Sequence, residues 1–428
     1  MRRVRRRHST ILRAGALFGA AILICATASA MAEPPRFERD TPIIIAHVAP
    51  IVGRFAMHTE DDRRGVEMAV EDFNMNGGVL GREVIVVSRD PSMDPVRAAK
   101  VAEELITRSK VSFMVGALDS GVASAMSKVC QKYGVIFINT NSSAPSQAVE
   151  DAHRTKFVFD ANAANYNRDL LHYALDDKPS KRVVLLVEDD VFGRSSADTA
   201  RPYIAEAHGQ IVGEISVPQA MPDPADVLGR VASLGADVVV AAITGDNQVK
   251  LMAQINPDVF NTQSWILGEA DWEDLYPTPG IYRPLFGITW NWDFKTPGTA
   301  EFVERYRRLY GHTRMDYPGH VTHAAYLSTW ALLTTIEQAG TTDNHAIIKR
   351  LEHFKFTAQE RMQDDPAFMD PVSHHLQQST YIATWKPNRD HPELSLKVLA
   401  HFTPEAARYE RERTTQLESF EETPHYAP

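Results

Sequence analysis

Two short polar stretches carry the side chains best suited to binding a charged small molecule. They are Leu-Asp-Ser-Gly at residues 118–121 and Ile-Asn-Thr-Asn-Ser-Ser-Ala-Pro at residues 138–145. Each lies where an apolar run ends and a helix would start. Hydroxyls and free backbone N–H groups at a helix start favour an anion such as a carboxylate. Ser120, Asn141, Ser142 and Ser143 are therefore candidates for ligand contacts. The same residue types are equally common as helix caps and turn formers, and the chemistry alone leaves both readings open.

Other reactive patterns are weaker. Gly-Arg-Ser-Ser-Ala at 193–197 is one glycine short of the G-x-S-x-G elbow, so Ser195 defines the enzymatic alternative, a secreted α/β hydrolase. An ordinary helix cap after a strand explains the same residues. His320 and His323 share a helical face and His374 and His375 are adjacent, but a metal centre needs three or four converging ligands with outer support. They read as surface or packed histidines, and neither a metal nor another cofactor is expected. No G-x-x-x-x-G-K-[ST] or G-x-G-x-x-G run supports nucleotide binding. The acidic groups at 188–190 and 364–365 read as a loop and a solvated patch.

The elements that would position these residues alternate. Strand-like runs fall at 43–48, 84–87, 111–115, 135–138, 183–187, 211–217, 238–243 and 265–267. Between them lie helical periods, such as 94–107, where Val96, Ala99, Ala102, Leu105 and Ile106 share a face. Asp94-Pro95 offers that helix a side-chain cap and a proline in its first turn. Asn76-Gly77-Gly78 and Gly81 supply a helix stop and tight turn before the strand at 84–87. Such alternation predicts an α/β protein with doubly wound parallel sheets. Residues 285–292 look like a crossing between lobes, with helices at 299–310 and 320–338 and late strands at 380–385 and 396–402. Ligands of such folds sit outside the C-terminal ends of the strands. Trp272, Trp290, Trp292 and Tyr166 lie near that region and could stack on a ring or alkyl chain; for Trp290, inside an apolar run, core packing is the expectation.

The first residues read as an export signal. Five arginines within residues 2–7 precede an apolar stretch at 14–30, and Ala30-Met31-Ala32 supplies a small-x-small cleavage pattern. Cleavage is expected after Ala32, with Ala30 the next position, and the arginine run also fits twin-arginine export. Removing the segment takes out six arginines and changes the net charge from −10 to −16. A surface that acidic disfavours nucleic acid and anionic membranes. Cys25 leaves with the signal, so Cys130 stands alone without an internal disulfide. No later run reaches the ~18 apolar residues of a membrane helix. The mature chain is expected in the periplasm, without stable membrane insertion.

Residues 53–98 answer what the alternation builds. Their glycine-started loop, "DFNMNGGVLG" turn, strand and "DPSMDP" resemble the branched-chain amino-acid type of periplasmic substrate-binding proteins that serve ABC importers. "VGALDS", "FINTNSSAP", "VVLLVEDDVFGRS", "GADVVVAAITGDN", "YRRLYG" and "TTIEQAGTTD" extend the resemblance from Pro42 to about Trp385. It implies a type 1 periplasmic-binding flytrap: two doubly wound lobes, joined by several crossings, that close on a small solute without chemistry. The implied organisation is a signal peptide at 1–32, a first lobe at 42–160 plus 288–375, a second at 161–287 plus 376–403, and a loose tail at 404–428. By the same resemblance Ser120 receives a ligand carboxylate, Asn141, Ser142 and Ser143 face the cleft, and His58 and Phe192 replace wall tyrosines. Positions that hold acids for a ligand ammonium read Asn165 and Asn247. Either Asp246 or Glu269 takes that role, or the ligand has no free amine, because an ammonium buried without a countercharge is costly. Expected partners are a small ligand (amino acid, amide, or small or aromatic carboxylate) and the permease subunits of an importer, with the protein itself monomeric. A ligand sensor on the same fold is the alternative.

Overall fold

The computed structural model describes residues 37–260, 263–270, 284–385 and 396–428. Strands β1 (Arg39–Val48), β2 (Arg82–Arg89), β3 (Phe113–Gly116), β4 (Phe137–Asn139) and β5 (Lys156–Val158) form one parallel sheet in the order β2-β1-β3-β4-β5. The apolar runs of β1, β3, β4 and β5 are largely buried, as parallel strands between helices require, while the edge strand β2 is mostly half-buried. The connecting helices include α1 (Ala56–Met75), α2 (Pro95–Thr107) and α3 (Ser120–Tyr133). Asp94 caps α2 as its sequence position suggests, accepting from the Val96 and Arg97 N–H groups. After α1 the chain turns through Gly77 and Gly78, both at positive φ, into β2.

A second sheet repeats this winding. Strands β6 (Arg182–Glu188), β7 (Gln210–Val217), β8 (Val238–Ala242), β9 (Ser264–Glu269) and β10 (Leu285–Ile288) run parallel in the order β7-β6-β8-β9-β10. Helices α4 (Ala163–Leu175), α5 (Val191–Glu206), α6 (Ala225–Leu234) and α7 (Gly245–Gln254) accompany them. A small antiparallel sheet of β11 (Lys355–Phe356), β12 (Ala367–Met369) and β13 (Leu376–Gln377), which the sequence reading does not anticipate, leans on the first sheet through a bridge from His375 to Val158. Strand β14 (Thr380–Trp385) then joins the second sheet antiparallel to β10, and β15 (Leu396–Phe402) pairs antiparallel with β14 at its edge. The chain thus passes between the two sheets after β5, after β10 and between β13 and β14. This is an α/β fold of two doubly wound lobes joined by several crossings.

Trp290 is fully buried in the first lobe's core, stacked on His323 with ring centroids 4.4 Å apart. Trp292 packs against the same core and tilts over Tyr317. The described residues contain no helix long and apolar enough to cross a membrane. Cys130 is buried beside Met114, and burial raises its thiol pKa far above the usual range.

The tail at 404–428 is not loose. Glu412 is fully buried, with its carboxylate facing His375 Nδ1 at 2.9 Å and accepting from Gln377 Nε2 at 3.0 Å. The Ala407 carbonyl accepts from Asn165 of α4, while Tyr426 Oη donates to the Val111 carbonyl on the first lobe. Charged composition suggests solvation, but these charges each meet a built partner. Arg408 pairs with Asp370, and Glu418 pairs with His153 at 2.6 Å and accepts from the Arg154 N–H at 2.9 Å.

Candidate functional site

In both parallel sheets the strand order reverses beside the first strand, between β1 and β3 and between β6 and β8. Adjacent loops leave such a point in opposite directions and open a crevice at the C-terminal strand ends. The two crevices face one another across a cavity of about 60 Å³. Arg54, Phe55 and His58 follow β1; Leu118 and Ser120 follow β3; Asn141 and Ser143 follow β4. From the second lobe come Asp190 and Phe192 after β6, and Thr244, Gly245 and Gln248 after β8. His320 and Val321, at the start of the helix His320–Ala339, complete the wall.

The first-lobe wall is held by hydrogen bonds to its own loops. Asp119 caps α3 by accepting from the Val122 N–H at 2.9 Å, which puts Ser120 in the first turn facing the cavity. Ser142 Oγ donates to Ser120 Oγ at 3.1 Å, and the Asn139 side chain fixes Ser142 by donating to its carbonyl and accepting from its N–H. Asn141 Nδ2 donates to Asp62 Oδ1 at 2.7 Å, and Asp62 Oδ2 lies 2.8 Å from His47 Nε2. That anchor orients the amide and leaves Asn141 Oδ1 buried without a hydrogen-bond partner in the chain. Behind Ser120, Gln147 Nε2 donates to the Ser120 carbonyl at 3.2 Å, and Lys156 Nζ donates to Gln147 Oε1 at 2.8 Å.

Charge concentrates where the lobes meet. Arg54 donates through Nη2 to Asp190 Oδ2 at 2.7 Å and reaches Asp119 Oδ2 at 3.5 Å; its Nη1 lies 2.6 Å from Glu188 Oε1. The Arg54 side chain is only 8% exposed and Glu188, the last residue of β6, is fully buried. Burial opposes the Arg54 charge, but Glu188 and Asp190 outweigh it and its pKa is raised. Burial pushes Glu188 up to about 7, with Arg54 pulling the other way and Asp190 adding to the rise. Asp119 is also raised, chiefly by burial.

The sequence candidates divide by where their side chains go. His58, Ser120, Asn141, Ser143 and Phe192 line the cavity, and Ser142 supports Ser120 from behind. Asn165 is turned away: it closes a capping box with Asn162 on α4 and donates to the Ala407 carbonyl at 2.9 Å. Tyr166 packs inside the second lobe, its ring so close to β10 that a Cβ on Gly287 would lie 2.1 Å from Tyr166 Cδ1. Asn247 is buried and donates to Glu188 Oε1 at 2.6 Å, so it orients an acid beside the cavity rather than lining it. Asp246 is exposed in the first turn of α7. Trp272 and the Glu269 side chain lie outside the described residues.

One reading is corrected and two others are made specific. Glu188 and Asp190 are not a solvated loop but the buried acids of the Arg54 cluster. Of the histidines, His320 lines the cavity, while His323, His374 and His375 are fully packed. Ser195 lies within α5, not at a sharp turn, and accepts from the Ser146 N–H across the cleft at 2.9 Å. No group of three or more His, Cys, Asp or Glu able to hold a metal occurs among the described residues. Arg54 itself escaped the sequence reading; its signal was a lone arginine in the glycine-started loop between β1 and α1.

Two doubly wound sheets whose switch points enclose one cavity define the two-lobed class of solute-binding proteins. The chain belongs to the periplasmic binding protein family, whose model, described as "Periplasmic binding protein", matches residues 42–391, and it has the type 1 form of that fold. It is 27% identical over 286 residues to the Leu/Ile/Val-binding protein homolog 7 of Brucella abortus (strain 2308), covering 62% of this chain and 70% of that one. A periplasmic binding protein from Burkholderia mallei superposes with a TM-score of 0.77 at 19% identity, over 89% of this chain and 98% of the other. A solute-binding protein of an ABC transporter from Rhodopseudomonas palustris BisB5, solved with 3,4-dihydroxybenzoic acid, gives 0.73 at 18% identity, over 85% and 98%.

Proposed function

We propose that this chain is an exported solute-binding protein that captures a small ligand between its lobes and delivers it to an ABC importer. The observation carrying this reading is the cavity at the paired switch points, lined by polar groups from both lobes. The family supports periplasmic residence; the small-x-small pattern Ala30-Met31-Ala32 supports cleavage of the signal after Ala32. The ligand is an amino acid, an amide, or a small or aromatic carboxylate; relatives named for leucine, isoleucine and valine, and a neighbour holding an aromatic acid, support that range.

The ligand docks first on Ser120, Asn141 and Ser143, and Phe192 and Gln248 close over it as the second lobe rotates about the crossings. A volume of about 60 Å³ is far below the roughly 300–1,000 Å³ of a ligand pocket. The lobes therefore stand further apart when a solute enters. A thermal-shift screen of the mature, ligand-stripped protein tests capture. A ligand at about 100 times its Kd adds about 2.7 kcal/mol of stability, and Ser120→Ala should lose most of that shift. If no amino acid, amide or carboxylate shifts the melting temperature, solute capture is refuted; uptake through the permease in reconstituted vesicles tests delivery.

A further inference from the structure

We infer that Arg54 is a built-in countercation that fills the acidic side of the cavity and thereby excludes ligands bearing a free ammonium group. This deepens the solute-capture reading and rests on it. Among the described residues, the titratable groups around the cavity are Arg54, His58, Asp119 and His320 from the first lobe and Glu188 and Asp190 from the second. The guanidinium meets three carboxylates, at 2.6, 2.7 and 3.5 Å, and their remaining oxygens are largely taken. Glu188 Oε2 accepts from the Thr244 N–H and hydroxyl, and Oε1 from Asn247. Asp190 Oδ1 caps α5 through the Gly193 N–H, and Asp119 Oδ1 caps α3.

The charges come close to balance. Three acids stand against one guanidinium and three helix starts, those of α3, α5 and α7, each carrying about half a positive charge. Among the described residues an arriving ammonium would find no acid at the cavity without a partner, and would leave its water shell without compensation. Asp246, the other acid of that helix start, points to solvent. A carboxylate or amide oxygen is served instead by the hydroxyl-bearing wall at Ser120 and Ser143. The ligand class is thus an amine-free acid or amide, and Arg54 is the residue that makes it so.

Matched pairs test this directly: leucine against 4-methylpentanoate, and phenylalanine against 3-phenylpropanoate, by calorimetry on the full mature protein. Wild type should prefer the amine-free member by a hundredfold or more. Arg54→Met should uncover Glu188 and Asp190 and move the amino-acid-to-acid affinity ratio toward the amino acid by about tenfold to a hundredfold, the scale of one charged hydrogen bond. Arg54→Lys, which keeps the charge, should retain most of the discrimination. Should Arg54→Met fail to fold, pairing it with Asp119→Asn removes one buried acid and leaves both second-lobe acids to be read. Wild type binding the amino acids as tightly as the acids overturns the inference while leaving solute capture standing. So does an Arg54→Met protein that loses acid binding without gaining amino acids, since Arg54 would then be contacting the ligand carboxylate. Binding of neither class by wild type, with no amino acid, amide or carboxylate shifting the melting temperature in the screen, removes the solute-capture reading and the inference together.

Discussion

Lys156→Met should change the pH dependence of stability in a way that isolates one buried charge. Lys156 opens β5 at 1% exposure, donating to Gln147 Oε1 at 2.8 Å and to the Asp151 carbonyl at 2.9 Å. Burial brings its pKa from 10.5 to about 7, with the Asp151 charge resisting and Lys128 adding to the drop. An unfolded lysine keeps its proton until about 10.4, whereas the folded one gives it up near 7. The unfolded chain therefore binds more protons throughout that window, and stability rises with pH across it. Between pH 7 and 9.5 the rise attributable to Lys156 is about 3 kcal/mol. Methionine has a similar unbranched reach but cannot titrate; leaving two buried acceptors without their donor costs about 1–3 kcal/mol at every pH. Urea unfolding of both proteins at pH 7, 8, 9 and 9.5 gives the difference, in which other titrating groups cancel. The wild-type minus variant stability should climb by about 3 kcal/mol over the series. A flat difference would refute the reasoning, because Lys156 would then hold its proton in the folded protein as it does in the unfolded chain.

Two other perturbations follow from the packing. His375 is raised above 6.5 because Glu412 outweighs its burial, with Asp370 adding to the effect. Its contribution to stability is complete below pH 6.5 and fades as pH rises through the higher folded value; Glu412→Gln should flatten that decline in urea midpoints between pH 5.5 and 8.5, and an unchanged slope would count against the pair. Gly287→Ala places a methyl 2.1 Å from the Tyr166 ring and should cost about 1–3 kcal/mol. In a Tyr166→Ala background the same substitution should be near neutral, and an equal cost in both backgrounds would show that the ring is not the obstacle.

Most strands were legible because each is a β-branched run closed by glycine, proline or a capping acid. That is local information, and it placed β1 to β4, β6 to β9 and the polar loops after β3 and β4. The small sheet β11–β13 was not, since two strands of two residues carry no period. The cavity wall divides along the same line. Ser120, Asn141 and Ser143 could be found because they follow strand ends in their own lobe. Asn165, Tyr166 and Asn247 sit at helix starts that reach the cleft, yet each side chain finds a partner inside its own lobe, which spacing does not encode. Arg54 and Asp190 are 136 residues apart in the chain. Each alone reads as a surface charge, and only juxtaposition of the lobes buries them.

The docked tail has a consequence for how the molecule comes into being. Tyr426 closes a contact to Val111 across 315 residues of chain, and Asn344 binds the Pro424 carbonyl close by. The first lobe, begun by the earliest strands, is thus completed by residues synthesised 315 positions later. No growing chain can finish it, however slowly it is made, until the segment carrying Pro424 and Tyr426 has emerged. Loop closure over such separations is slow, so the nascent polypeptide passes a long interval with the core of that lobe accessible and its final strap still free.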